Sequence, residues 1–202
     1  MATQYASQPV VFVEYDVDSA AYNTRRSRWW TAHGGGSVSL PMTMVDSGHE
    51  FSNGVVDASV YQGMVDRALA RPPQAALTAT QTRIGNQVQF SVQVQNLSGV
   101  TLSSSNSATV WGIVYEDIRV ANTNRYVRAA VSTGISNLAN NATGTFTLQT
   151  GDLTGVNWNN LHYIALAEYR PGGSSGAYDM LQAALALGLN LNFRLFLPLV
   201  LR

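Results

Sequence analysis

From Gln87 to Asn96, apolar and polar residues alternate almost without a break. Val88, Phe90, Val92 and Val94 fall on one side; Gln87, Gln89, Ser91, Gln93 and Gln95 fall on the other. Strand side chains point alternately to opposite faces, so this segment belongs to a sheet with one dry and one wet face. A helix would repeat its apolar positions every three or four residues instead. Similar β-rich runs recur near residues 75–82, 108–117, 126–133, 143–150, 161–169 and 178–186, separated by turn clusters. That spacing predicts a β-sandwich. Phe146 and Leu148 point inward in the fifth run. The last run, around Met180, has a composition that also suits a short helix.

The chain before Pro72-Pro73 has a different texture. Val10-Val11-Phe12-Val13-Glu14-Tyr15 is nearly continuous in apolar character and reads as a strand buried on both faces. Residues 20–32 form a helix after Asp16-Val17-Asp18-Ser19, and Gly34-Gly35-Gly36 stops it. Residues 38–45 are a strand interrupted by Pro41, Asp46-Ser47-Gly48 is a turn, and residues 49–52 return as a short strand. Val60, Met64, Val65 and Leu69 recur at helical spacing, and the two prolines end that helix. The tail alternates again: Leu189, Leu191, Phe193, Leu195 and Leu197 read as an apolar strand that needs a partner.

Composition removes several chemistries. The 202 residues contain no Cys, which excludes disulfides, thiol catalysis and cysteine-ligated zinc or iron–sulfur sites. All 12 basic side chains are Arg, so lysine-dependent Schiff bases, P-loops and Ser-Lys dyads are excluded too. The formal net charge of +0 leaves no global field to draw nucleic acid. Charged residues are 12 %, about half the usual share, and Ser, Thr, Asn, Gln and Gly carry the polarity instead. This balance is expected of a secreted or cell-surface β-rich protein. The first residues lack a basic segment followed by an apolar one and do not read as a signal peptide. No apolar run reaches the ~20 residues of a spanning helix.

The order strand, helix, strand with proline, strand, helix over residues 5–70 resembles the second half of a thioredoxin domain. Tyr5-Ala6-Ser7-Gln8-Pro9 is similar to the end of its first helix, and residues 10–18, ending in Asp16-Val17-Asp18, to the strand that follows. Leu40-Pro41-Met42-Thr43-Met44-Val45 resembles the strand that opens with a cis-proline. The resemblance implies a structural cis-Pro41 facing a Cys-x-x-Cys motif. That motif, with the strand and most of the helix that carry it, is not present here. The region from Ala75 onward resembles an immunoglobulin-like sandwich of the kind appended to bacterial secreted thioredoxin-like proteins. The tail from Phe196 is similar to short C-terminal tails of bacterial secreted proteins.

The expected fold is therefore α+β. A partial thioredoxin-like α/β domain (1–71) and a Pro-rich linker (72–74) precede an all-β immunoglobulin-like sandwich (75–187) and an apolar strand (188–202). The one basic–aromatic cluster, Arg25, Arg26, Arg28, Trp29 and Trp30, is a candidate interaction site. Read structurally, it is a surface helix with Arg outward and one Trp inward. Glu14, Asp16 and Asp18 share a strand face, as a carboxylate pair or calcium site would, or as a strand end and helix cap do. His33, His49 and His162 have no second ligand at metal-binding spacing. Trp111, Trp158, Tyr115, Tyr126, Tyr163 and Tyr169 are either a sugar platform or core residues. Asn96 and Asn141 head glycosylation sequons that chance also explains. No catalytic residue, metal or cofactor is expected. The favoured function is a non-enzymatic structural or interaction module, associating with itself through the apolar tail or with another surface protein. A redox-inactive oxidoreductase fragment and a carbohydrate-binding sandwich are the alternatives.

Overall fold

The computed structural model describes residues 4–16, 19–55, 57–120, 123–186 and 199–201. Its strands in chain order are β1 (Val13–Tyr15), β2 (Met42–Val45), β3 (Glu50–Asn53), β4 (Ala75–Ile84), β5 (Gln87–Asn96), β6 (Leu102–Ser103) and β7 (Thr109–Glu116). They continue as β8 (Tyr126–Gly134), β9 (Asn137–Leu138), β10 (Thr143–Gln149), β11 (Leu161–Tyr169), β12 (Asp179–Leu185) and β13 (Leu199–Leu201). The two α-helices are α1 (Ala20–Ala32) and α2 (Ala58–Leu69).

One sheet of eight strands dominates, in the order β12-β11-β7-β8-β1-β13-β2-β3. A three-stranded antiparallel sheet, β10-β5-β4, packs on the β7–β11–β12 part of it. The alternation of β5 is used as expected: Val88, Phe90, Val92 and Val94 are all fully buried between the two sheets. Burial of such a side chain contributes roughly 1.5–3 kcal/mol. Every residue of β7 is buried, because its two faces meet different partners. Val110 and Val114 face the small sheet, whereas Trp111, Ile113 and Tyr115 face α1.

The helices lie on opposite faces of the β1–β2 region. Met42, Met44, Val13 and Tyr15 pack with Trp29 and Trp30 of α1. Phe12 and Val45 pack with Tyr61, Met64, Val65 and Ala68 of α2. The Asp57 side chain caps α2 by accepting the Ser59 amide at 2.8 Å. The end of α1 passes into three left-handed glycines, Gly34, Gly35 and Gly36, with φ of 95°, 68° and 99°.

This architecture corrects the expected fold class. The chain is mostly β and is not a thioredoxin-like α/β domain followed by a separate all-β sandwich. Glu14 of β1 pairs in parallel with Tyr126 of β8, so strands from both sides of Pro72-Pro73 share one sheet. Between β1 and β2 lies β13, parallel to β1 (Val13↔Leu199) and antiparallel to β2 (Leu199↔Met44). Local periodicity specifies each strand, but not which distant strand completes its hydrogen bonding. Residues 189, 191, 193, 195 and 197 of the expected assembly strand lie outside the described residues. The three strand residues that follow them pair within their own chain.

Candidate functional site

The basic–aromatic helix turns its chemistry inward. Arg25 and Glu168 are both 0 % exposed. The Arg25 guanidinium stacks 3.5 Å from the Trp29 ring centroid and 4.3 Å from that of Trp111. Its Nη2 stands 3.6 Å from Glu168 Oε2, and none of its three nitrogens has a hydrogen-bond partner among the described residues. Burial pushes the Arg25 pKa down, against the upward pull of Glu168 and Tyr15. Burial likewise pushes the Tyr15 hydroxyl up to about 12.

Glu168 is the hub. Its Oε1 accepts Arg28 Nε at 2.6 Å and Trp111 Nε1 at 2.9 Å, and its Oε2 accepts Trp29 Nε1 at 3.0 Å. Arg28 also donates through Nη2 to the Ser107 carbonyl and Thr109 Oγ1, both at 2.7 Å. The expectation of outward arginines with one inward tryptophan is therefore corrected. Arg25, Trp29 and Trp30 are all buried, and Arg28 is tied to the core carboxylate. The side chain of Arg26 lies outside the described residues. This cluster fastens α1 to β7 and β11, with Arg25, Trp29 and Glu168 buried and Arg28 half-buried. Trp111 belongs to it, which removes that residue from any sugar platform.

A second cluster joins the turn after β2, the end of α2 and β12. Arg71 Nη2 reaches both oxygens of Asp179, at 2.5 and 2.6 Å, while its Nη1 reaches Asp46 Oδ2 at 3.2 Å. Gln74 Nε2 adds a bond to Asp179 Oδ2 at 2.9 Å, and Tyr169 donates to Gln74 Oε1 at 3.0 Å. The turn itself is left-handed at two non-glycine residues, Asp46 (φ 52°) and Ser47 (φ 59°), both buried. Burial is the largest cause pushing the Asp46 carboxyl up to about 7.

The third feature is open. Two adjoining depressions of about 210 and 220 Å³ share Ala20, Ala21, Arg128, Asp152 and Leu153. One wall is the start of α1 with Ser19 and Thr24, the floor is β8 with Tyr126 and Arg128, and the other wall is the 151–156 loop. The Arg128 guanidinium lies 4.6 Å from the Tyr126 ring centroid and pairs with buried Glu116 at 2.6 Å. Thr154 hydrogen bonds hold the Asp152 carboxyl below its ordinary range.

The remaining sequence candidates are dispersed. The Leu40–Pro41 peptide is cis, and the Pro41 carbonyl accepts the Gly54 amide at 3.0 Å. Glu14 Oε2 accepts the Asn124 amide at 2.8 Å, and Asp16 accepts the Tyr126 hydroxyl at 3.4 Å. Asp18 lies outside the described residues. His33 contacts the Gly48 carbonyl at 2.5 Å, His49 approaches Asp179 at 3.9 Å, and His162 approaches Asp117 at 3.1 Å. No cluster of metal-ligating side chains occurs among the described residues. Asn96 is buried and donates to the Val100 and Leu138 carbonyls, whereas Asn141 is exposed. Trp158 is half-buried beneath Arg83, 3.7 Å from ring centroid to guanidinium.

Sequence reasoning missed Glu168, Asp46, Arg71 and Asp179. A signal existed for the first: Glu168 interrupts the apolar run of β11 on the face that holds Ile164 and Leu166. A carboxylate on a buried face requires partners.

No protein-family model matches the chain, and neither does any curated protein. Among solved structures, a domain of the outer membrane lipoprotein Omp28 from Porphyromonas gingivalis is 16 % identical, with a TM-score of 0.35. That match covers 62 % of this chain and 92 % of the other. OgpA from Akkermansia muciniphila is 12 % identical with a TM-score of 0.34, covering 57 % of this chain and 29 % of its own. A β-glucosidase from Bifidobacterium adolescentis is 12 % identical with a TM-score of 0.30, covering 79 % of this chain and 20 % of its own. Likeness this distant leaves function to be argued from this chain's own residues.

Proposed function

We propose that this chain is a non-enzymatic β-rich binding module, secreted or displayed at a cell surface, that works by holding a partner rather than transforming it. The observation that carries the reading is the groove between α1, β8 and the 151–156 loop. It is open, its two parts measure about 210 and 220 Å³, and it mixes an aromatic ring with charged and hydroxyl side chains. Polar groups that converge on a concave site fix the orientation of what binds there. The low charge, with polarity carried by Ser, Thr, Asn, Gln and Gly, supports an extracellular role.

The same lining supports carbohydrate as the second reading, now centred on Tyr126, Asp152 and Thr154 instead of Trp111. Glycan and peptide arrays test both. Thr24 is exposed at the rim, so T24W fills the groove without touching the core. A ligand bound by the native chain and lost at least tenfold in T24W and D152A supports the site. Blank arrays, or binding indifferent to both substitutions, overturn it. Sedimentation over a range of concentrations reports whether the partner is a second copy.

A further inference from the structure

The cluster at the junction of α2, the β2–β3 turn and β12 is one positive charge short. Among the described residues, Arg71 is the guanidinium that meets both Asp46 and Asp179. Glu50, the other carboxylate that faces Asp46, already has its own partner in Arg67, at 2.7 and 2.9 Å. His49 approaches Asp179 and not Asp46. The two aspartates are not served equally. Asp179 takes two bonds from Arg71 Nη2 and a third from Gln74, whereas Asp46 takes one longer bond at 3.2 Å. Asp46 Oδ1 is buried with no hydrogen-bond partner among the described residues. A buried carboxylate so poorly compensated is the member of the pair that holds a proton.

We infer that Asp46 is a proton-binding switch that tightens the junction between the β2–β3 turn and β12 when it is protonated and loosens it when it ionises. With Asp46 neutral, Arg71 passes undivided to Asp179, and the left-handed turn stays seated against β12. With Asp46 ionised, two buried carboxylates compete for one guanidinium. Burial pushes Asp46 up to about 7, so this change falls near neutrality. The sign follows from linkage. Asp46 keeps its proton in the fold at pH values where the unfolded chain has lost it. Its contribution is therefore complete below the ordinary carboxylate pKa of about 3.9 and lost as pH rises through about 7.

Carboxyl carbon NMR of the native chain reads the switch directly. The Asp46 carboxyl should titrate near pH 7, and D179N should move that midpoint down by about one pH unit or more, since a neighbouring like charge is removed. The thermal midpoint of the native chain should fall between pH 5 and pH 8. In D46N that slope should flatten. H49Q, which removes a side chain of a type that titrates in the same range, should keep it. Amide protection at His49, which donates to the Asp46 carbonyl at 3.1 Å, should drop above neutrality in the native chain and not in D46N. An Asp46 midpoint in the ordinary carboxylate range overturns the inference, and so does a slope that survives D46N. The native-chain titration decides the matter even where a variant fails to fold.

Discussion

At the scale of single residues, this fold turns on positions where ordinary side chains would not fit or would not be tolerated. Gly112 of β7 is one. A Cβ there would stand 2.7 Å from Phe90 Cδ2 and 2.8 Å from Cε2, inside contact distance of a ring packed rigidly between the sheets. G112A should therefore cost roughly 1–3 kcal/mol by overpacking, measured as a lower urea midpoint at unchanged slope. Glu168 is the other. It carries hydrogen bonds from Arg28, Trp29 and Trp111, whereas Arg25 contributes charge and stacking without a hydrogen bond among the described residues. E168A strands a fully buried guanidinium and two indole donors, and should cost about 3–5 kcal/mol. R25M leaves Glu168 bonded to its other three partners and keeps an unbranched apolar stem between the two tryptophans. Its loss in the same urea titration should be well under half that of E168A. Equal losses would mean that the Arg25 charge, not the hydrogen-bonded hub, carries the cluster. Sequence alone pointed to the arginines because a basic–aromatic run is local. The carboxylate that orders them is 143 positions from Arg25 (168 − 25), beyond the reach of any periodic pattern.

At the scale of elements, local pattern and observed boundaries agree closely for several segments. The expected limits 20–32, 87–96 and 161–169 are those of α1, β5 and β11. The run near 178–186, whose composition suits a helix as well, is strand β12. Agreement fails at pairing. The order strand–helix–strand–strand–helix in the first 70 residues is real, but its strands extend the sandwich sheet by way of β8 and β13 instead of closing a domain of their own. Strand β13 occupies a central position, with Val200 opposite Glu14 on one side and Thr43 on the other. Proline lacks the amide that a central strand must donate. V200P should therefore unzip β1 from β2. Hydrogen exchange would show this as lost protection in β2 and β3, with β4, β5 and β10 unchanged. Uniform loss across all strands would instead make β13 part of the global folding unit.

At the scale of the whole molecule, one sheet joins the sandwich to the strands that precede Pro72-Pro73. Strands β7 and β11 bury one face against the small sheet and the other against α1. The second face holds Trp111, Ile113, Tyr115, Ile164 and Leu166. Cutting the chain at Pro72-Pro73 would uncover those five side chains together with Glu168, whose guanidinium and Trp29 partners all lie before the cut. An apolar patch of that kind drives association, and a buried carboxylate stripped of its cations drives unfolding. The fragment 75–186 should therefore aggregate or melt far below the intact chain. The intact chain should unfold in one transition, with calorimetric and van't Hoff enthalpies equal. Adding the fragment 1–71 in trans should restore solubility, because it supplies α1 and with it Arg25, Arg28 and Trp29. The opposite result, a fragment 75–186 that is monomeric and as stable alone as in the full chain, would show that the face under α1 tolerates water. The eight-stranded sheet would then be two adjoining units and not one.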